Sequence, residues 1–375
     1  MKAKGKIGLL LTGGGARGAY QAGALAAILE ICHKTQIEFP FHTISGISAG
    51  GINACLLASH IEDNNLLKAA QKLHETWVNI TSSDVFIADT FSLTTNGLKW
   101  VTALSMGRIR ASDKSLSLLD TRPLRQLLRK HIQPSAITAN INTGIFNALS
   151  LTAISYSSGI SRTFFQGRPD LQGWSRIKRE GVRADITYDH IMASSAIPLL
   201  FPTIKVGNEH YGDGSLRDYT PLTSPIKLGC DKILIIGVRK RFQSLPAMHS
   251  TPTLARIFSI ILNGILLDGL DTDLERLERI NTTLDLLKKP ELSPLNKVET
   301  FVMAPSQVLS TVAAKEADSM PKGIRYLLNG LGKKNDAADL ISYILFESNY
   351  TKKLFELGHS DILEQQDSLL KFLTT

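Results

Sequence analysis

The stretch Ile7-Gly8-Leu9-Leu10-Leu11-Thr12-Gly13-Gly14-Gly15-Ala16-Arg17-Gly18 reads as a strand, a glycine turn and the start of a helix. Ile7 to Leu11 is a short apolar run without polar alternation, the pattern of a parallel strand covered on both faces. Ala19 to Ile31 follows, rich in Ala and Leu, with Leu25, Ile28 and Leu29 at helical spacing. The same order then repeats: Phe41 to Ser45 as a strand, Gly46-Ile47-Ser48-Ala49-Gly50-Gly51 as a turn, Ile52 to Ser59 as a helix. Two such units in succession predict an α/β fold with a mainly parallel sheet.

Working outward, Asp63 to Ile80 is helical, and Arg122-Pro123-Leu124 opens a helix with proline in its first turn. Ile141 to Tyr156 and Ser161 to Gln166 alternate like paired strands. Asp189 to Leu200 reads as a helix ended by Pro198, Tyr211 to Thr220 as a loop, and Lys232 to Val238 as a further buried strand. Residues 81–120 are polar and show no clear period. Past Arg239-Lys240-Arg241 the composition shifts. Thr253 to Leu287 carries a long helical period, residues 299–304 fit one more strand, and residues 320–375 are helical with basic pairs. The expected division is an α/β domain over residues 5–240 and a mostly helical C-terminal region, 241–375, packed on it.

With 375 residues, 43% hydrophobic and 20% charged, the chain is neither disordered, collagen-like nor a coiled-coil rod. Cys32, Cys55 and Cys230 are odd in number and far apart, so no disulfide framework is expected. The net charge of +8 favours anionic partners. Without a basic block or an aromatic-interleaved stripe, nucleic acid is not among those expected. Lys2, Lys4 and Lys6 precede an apolar run too short for a signal peptide, and no segment offers 18 uninterrupted apolar residues. A cytoplasmic or peripheral-membrane location is expected, with signal-less secretion left open.

Gly46-Ile47-Ser48-Ala49-Gly50 fits G-x-S-x-G between a strand and a helix, the nucleophile-elbow pattern. There Ser48 would project at a helix N-terminus, where free N–H groups favour developing negative charge. The plain alternative is a helix N-cap between turn glycines. Gly13 to Gly18 also fits G-x-G-x-x-G, but a dinucleotide site needs an acid at the end of the next strand. Glu38 lies before that strand, so the cofactor reading is rejected. Consecutive glycine N–H groups serve equally as an oxyanion hole. Two glycine turns after adjacent parallel strands would lie side by side, one carrying the nucleophile and the other the donors. A base must still take the serine proton. His190 and His210 are the late histidines near loops. Gly212-Asp213-Gly214-Ser215 is the better candidate, because an acid flanked by glycines can approach another loop closely. Asp268, Asp271, Asp273 and Glu275 lack the spacing of a calcium loop and read as the acidic start of a helix.

Together, Gly13 to Gly18 with Arg17, Gly46 to Gly50 around Ser48, and Asp213-Gly214-Ser215, in that order, resemble the patatin-like phospholipase family. Ala193-Ser194-Ser195-Ala196-Ile197-Pro198 with Phe201-Pro202 is similar to the family's segment before the aspartate. The resemblance covers residues 5–240 and implies a three-layer αβα fold and a Ser–Asp dyad without catalytic histidine. Ser48 would be nucleophile and Asp213 base, Gly13, Gly14, Gly15, Arg17 and Gly18 would shape the oxyanion site, and no metal or organic cofactor is implied. Ser215, where the family most often has Gly or Ala, and Asp218, where it often has Asn, depart mildly from the pattern. The implied substrate is a phospholipid or another acyl ester, with a peripheral membrane surface as partner and no implied oligomeric state. The rivals are a Ser-His-Asp esterase, a catalytically silent lipid-binding protein, and an acyltransferase on the same fold. Lys333, Lys334, Lys352 and Lys353 are expected to contribute to binding anionic lipid, each basic group adding ~1 kcal/mol.

Overall fold

The computed structural model describes residues 3–87, 117–241, 251–266, 268–289, 292–331 and 336–375. Its strands are β1 (Ile7–Leu11), β2 (Thr43–Ile47), β3 (Ala148–Ser155), β4 (Ser161–Gly167), β5 (Trp174–Arg176), β6 (Arg179–Arg183), β7 (Ile204–Val206), β8 (Glu209–Asp213), β9 (Lys232–Ile236) and β10 (Glu299–Met303). They form one sheet in the order β10-β9-β1-β2-β3-β4-β6-β5, with β8 joining β3 and β7 joining β8. The first five in that order are parallel to one another. β4 and β8 run antiparallel to β3.

The apolar runs of the central strands are buried on both faces, as their lack of alternation requires. Ile7, Leu9 and Leu11 of β1 and Leu234 and Ile236 of β9 enter the large core. Leu10, Ile233 and Ile235 enter a second core closed by Leu274 and Leu277. Helices α1 (Gly18–Lys34), α2 (Ala49–His60), α3 (Leu66–Val78) and α4 (Tyr188–Ser194) precede α5 (Leu254–Leu266) and α6 (Asp268–Leu286). Further along the chain come α7 (Lys322–Leu331), α8 (Ala338–Ile344) and α9 (Ser348–Glu364). α1 and α9 pack on one face of the sheet, and α6 supplies Leu274 and Leu277 on the other, which makes the three layers. The large core runs without a break from Ile7 through Ile236 to Phe355 and Leu373.

Several boundaries differ from the sequence reading. β2 reaches Ile47 because its ladder to β1 and β3 holds Gly46 and Ile47 extended. Ile141 belongs to a helix, Pro134–Asn142, rather than to the strand after it. α4 ends at Ser194, well before Pro198, and the freed carbonyl of Ala196 accepts from the Asp213 N–H at 2.9 Å. Asp213 therefore ends a strand rather than sitting in a loop. The long period of residues 253–287 is two helices, and most of the unreadable stretch 81–120 lies outside the described residues.

Candidate active site

Ser48 occupies the turn between β2 and α2 with φ 56° and ψ −128°. Such a backbone costs a residue with a β-carbon about 1–3 kcal/mol and is held only by its surroundings. The holding is visible. Gly50 passes so close to β1 that a β-carbon on it would lie 2.3 Å from the Leu11 carbonyl oxygen. The Ser48 N–H donates to Ser194 Oγ at 3.0 Å, and Ser194 Oγ donates to the Thr152 carbonyl at 2.7 Å. Ser48 stands in the N-cap position of α2, yet its side chain makes no capping bond. The capping alternative is therefore not what the hydroxyl does.

The sheet brings Asp213 to Ser48. β4 pairs with Ala148 to Ile154 along one edge of β3. Along the other edge β2 pairs as far as Ile47 opposite Thr152, and β8 takes over with Asp213 opposite Ala153. The ends of two strands thus meet head to head, with Ser48 after one and Asp213 terminating the other. Asp213 is fully buried, and its Oδ1 accepts from the Ser215 N–H at 2.9 Å. Burial pushes its carboxyl up to about 6, while the nearby Ser48 hydroxyl and Ser215 draw it back down. Oδ2 has no hydrogen bond of ordinary geometry. The Ser48 hydroxyl and the Asp213 carboxyl are thus adjacent without a hydrogen bond of ordinary geometry between them. Ser195 Oγ and Ser215 Oγ are likewise buried without a partner among the described residues.

No histidine ring bonds to either group among the described residues. His190 Nδ1 accepts from the Thr187 N–H at 3.2 Å, and its ring packs on Phe164, 4.5 Å between centroids. His210 Nδ1 pairs with Thr203 Oγ1. The former caps a helix; the latter tethers a hairpin.

Gly13 to Gly15 lead into a short 3-10 turn, Gly15–Arg17, and then α1 at Gly18, so their N–H groups belong to a helix N-terminus. A β-carbon on Gly13 would lie 2.3 Å from Ser215 Oγ and 3.2 Å from Ser48 Cβ. Gly13 thus borders both the Ser48 turn and the Asp213–Ser215 turn. Gly14 abuts Val238, Gly18 abuts Ala49 and Trp77, Gly46 abuts Gly50, and Gly214 abuts the Thr152 carbonyl. The Arg17 side chain does not face Ser48. It is buried against α8, bonding Ser342 Oγ at 2.8 and 2.6 Å and Asp339 at 3.2 Å, with its guanidinium 4.2 Å from the Tyr343 ring centroid. Its side chain anchors the glycine turn to the C-terminal helices. A β-carbon on Gly15 would lie 2.1 Å from the Tyr343 carbonyl oxygen, so α8 also backs the turn directly.

Two cavities open at this junction. One, on the Gly15 side of Ser48, is apolar and lined by Ile52, Trp77, Val85, Leu124, Phe201 and Phe346. The other, on the Gly13 side, passes Ser215 and Asp218 to Arg239 and Arg241. Phe346 comes from beyond residue 240, packing on Trp77 at 6.5 Å and on Phe86 at 6.2 Å. The serines of Ala193 to Ala196 and this phenylalanine were not singled out as site residues in the sequence. Only the family-like segment marked the serines, and no local pattern marks Phe346.

The sequence profile described as patatin-like phospholipase matches residues 9–226, spanning every element that converges on Ser48 and Asp213 except the C-terminal helices. The chain belongs to the patatin-like phospholipase family. No curated protein sequence matches it. Among solved structures, VipD from Legionella pneumophila is similar at 12% identity over 94% of this chain and 67% of that one, TM-score 0.31. A structure of SpcU with ExoU from the type III secretion system of Pseudomonas aeruginosa is similar at 17% identity, covering 90% and 71%, TM-score 0.28. In this patatin-like chain Gly13→Ala should fold but lower ester turnover by at least about tenfold, because the new methyl must displace Ser215 or Ser48. Steady-state kinetics beside a thermal melt would check this; unchanged turnover would show that the contact is not needed.

Proposed function

We propose that the protein hydrolyses fatty acyl esters of phospholipids or lysophospholipids through a Ser48–Asp213 dyad and an acyl-enzyme. The observation that carries this is the meeting of a strained Ser48 with a buried, base-like Asp213 at the mouth of an apolar cavity. Asp213 Oδ2 takes the Ser48 proton as Oγ attacks the ester carbonyl. The developing oxyanion is met by N–H groups of the Gly13 to Gly15 turn and the head of α2, each such donor being worth about 10²–10³ in rate. The leaving alcohol then takes the proton from Asp213. Water, deprotonated by the same carboxylate, releases the fatty acid.

A free Asp is a poor base, with a pKa of about 3.9. Here burial raises the carboxyl, and an acyl chain that parts Ile52, Trp77 and Phe201, widening a cavity now only about 30 Å³ in volume, dries the site further. The Gly13-side cleft, with Arg239 and Arg241, suits the polar end of the same substrate.

The test is a phospholipid and lysophospholipid panel with products resolved by mass and Ser48→Ala as control. Fatty acid release by the parent alone supports the reading; none on any member rejects it. Leu127 also lines the apolar cavity. Leu127→Trp should shorten the preferred acyl chain, lowering turnover of long-chain esters about tenfold or more while short-chain esters are spared. An equal loss on both would remove the cavity from the acyl-binding role.

A further inference from the structure

The described residues leave one helix with a large apolar face uncovered. α5 is Leu-Ala-Arg-Ile-Phe-Ser-Ile-Ile-Leu-Asn-Gly-Ile-Leu, with no acidic residue and a single charge. Its Ala255 and Ser259 are completely buried, and Leu262 packs on the core. A neighbouring face, Leu254, Ile257, Phe258 and Ile261, follows i, i+3, i+4, i+7 and is 42–58% exposed at every position. A helix apolar on both faces with only one face packed against protein is unlike an ordinary surface helix, whose outer face is polar. α7 packs beside it and exposes Tyr326 at 80%.

The surroundings indicate what covers this face. Arg256, Ile260, Asn263 and Gly264 of α5 form one wall of a cleft whose other residues include Arg239, Lys240 and Arg241. That cleft holds five cationic side chains and three carboxylates: Arg17 and Arg256 pair with Asp339, Arg239 with Asp268 and Asp271, Arg241 with Asp271, and Lys240 stands exposed at the rim. The excess is positive, as is the whole chain at +8. The cleft is continuous with the one beside Ser48, sharing Val238, Arg239, Arg241 and Asp271 with it. An exposed apolar row rimmed by cations matches an anionic bilayer, which offers hydrocarbon beneath a negative surface. The basic C-terminal residues singled out in the sequence match less well. Of these, Lys352 is exposed but far from α5 in the chain, Lys353 is paired with Glu316, and Lys333 and Lys334 lie outside the described residues.

We propose that the outer face of α5, with Leu254, Ile257, Phe258 and Ile261 entering the headgroup–acyl boundary, docks the protein on anionic lipid bilayers beside the mouth of the Ser48 cleft. None of these four side chains lines the cavities at Ser48. The docking surface therefore stands independently of the proposed hydrolysis.

The experiment is co-sedimentation of the full chain with vesicles of phosphatidylcholine, with and without phosphatidylglycerol, at low and high salt. The parent should bind the anionic vesicles, and more weakly as salt rises. Ile257→Glu/Phe258→Glu should bind about tenfold more weakly or worse, with an unchanged melting temperature and unchanged hydrolysis of a water-soluble short-chain ester. Phe258→Trp, which keeps the apolar face, should bind like the parent and shift its emission to the blue on anionic vesicles. Equal binding by the double Glu variant, or no such shift, overturns the proposal. So does a parent that is a dimer in light scattering while the Glu variant is a monomer, since the face is then an interface between copies. Should the parent bind vesicles through this face yet hydrolyse no ester, the docking stands and the hydrolase reading falls. Ser48→Ala should bind vesicles as the parent does.

Discussion

Ser48→Ala is expected to abolish ester hydrolysis, lowering turnover by about 10⁴–10⁶, the scale seen when a hydrolase loses its nucleophile. Residual activity near the parent level in purified protein would end the serine-hydrolase reading. The fold should survive, because the Ser48 side chain makes no capping bond and its N–H, which alanine keeps, provides the tie to Ser194. A companion variant separates chemistry from strain. Ser48→Gly removes the nucleophile and also the β-carbon that makes φ 56° costly. It should be equally inactive but more stable than the alanine variant by about 1 kcal/mol in urea titrations. If the glycine variant gains nothing, the elbow stores no strain.

Asp213→Asn is expected to lose several orders of magnitude as well, since an amide cannot accept the serine proton. His190→Ala and His210→Ala should keep most of their turnover, because their rings bond Thr187 and Thr203 rather than Ser48 or Asp213. His210 lies three residues before Asp213 on the same strand, so melts must accompany its kinetics. The pH profile of the parent should show activity falling as pH drops through about 6, where the buried carboxyl becomes protonated. That limb should persist in both histidine variants. Stability moves the other way. A carboxyl raised from 3.8 to about 6 binds its proton more tightly when folded. Its contribution to stability is fully present below pH 3.8 and is lost as pH rises through about 6. Asp213→Asn should flatten this part of the stability–pH curve. A folded histidine variant as inactive as Asp213→Asn would replace the dyad with a Ser-His-Asp arrangement.

The parts of the site that were legible in the sequence are those whose chemistry is local. Ile7 to Leu11 appears as a strand with the boundaries the apolar run predicts, because a run buried on both faces has no polar residue to blur its ends. The Gly46 to Gly50 turn is equally plain, since an elbow needs small residues within a few positions of the serine. Arg17 shows where a local motif stops being informative. Its place in the glycine motif assigned it to the oxyanion site, yet its side chain turns to Ser342, Asp339 and Tyr343, more than 300 residues away along the chain. A motif specifies backbone shape. Where a long side chain goes depends on which partners the fold delivers.

The sequence by itself determined the parallel core and the two adjacent glycine turns, and it singled out Ser48 and Asp213 as candidates for nucleophile and base. These follow from apolar runs without alternation and from glycines where backbones must pass closely, both properties of neighbouring residues. Tertiary structure alone decided that Ser48 and Asp213 meet. The meeting depends on β2 and β8 both ending on the same edge of β3, β2 opposite Thr152 and β8 opposite Ala153, a register between segments 165 residues apart. It also decided that Phe346 closes the apolar cavity, that α8 braces the glycine turn and that one face of α5 is left bare. Side-chain periodicity says that a helix has apolar faces. Only the packing of the whole chain says which of them remains uncovered.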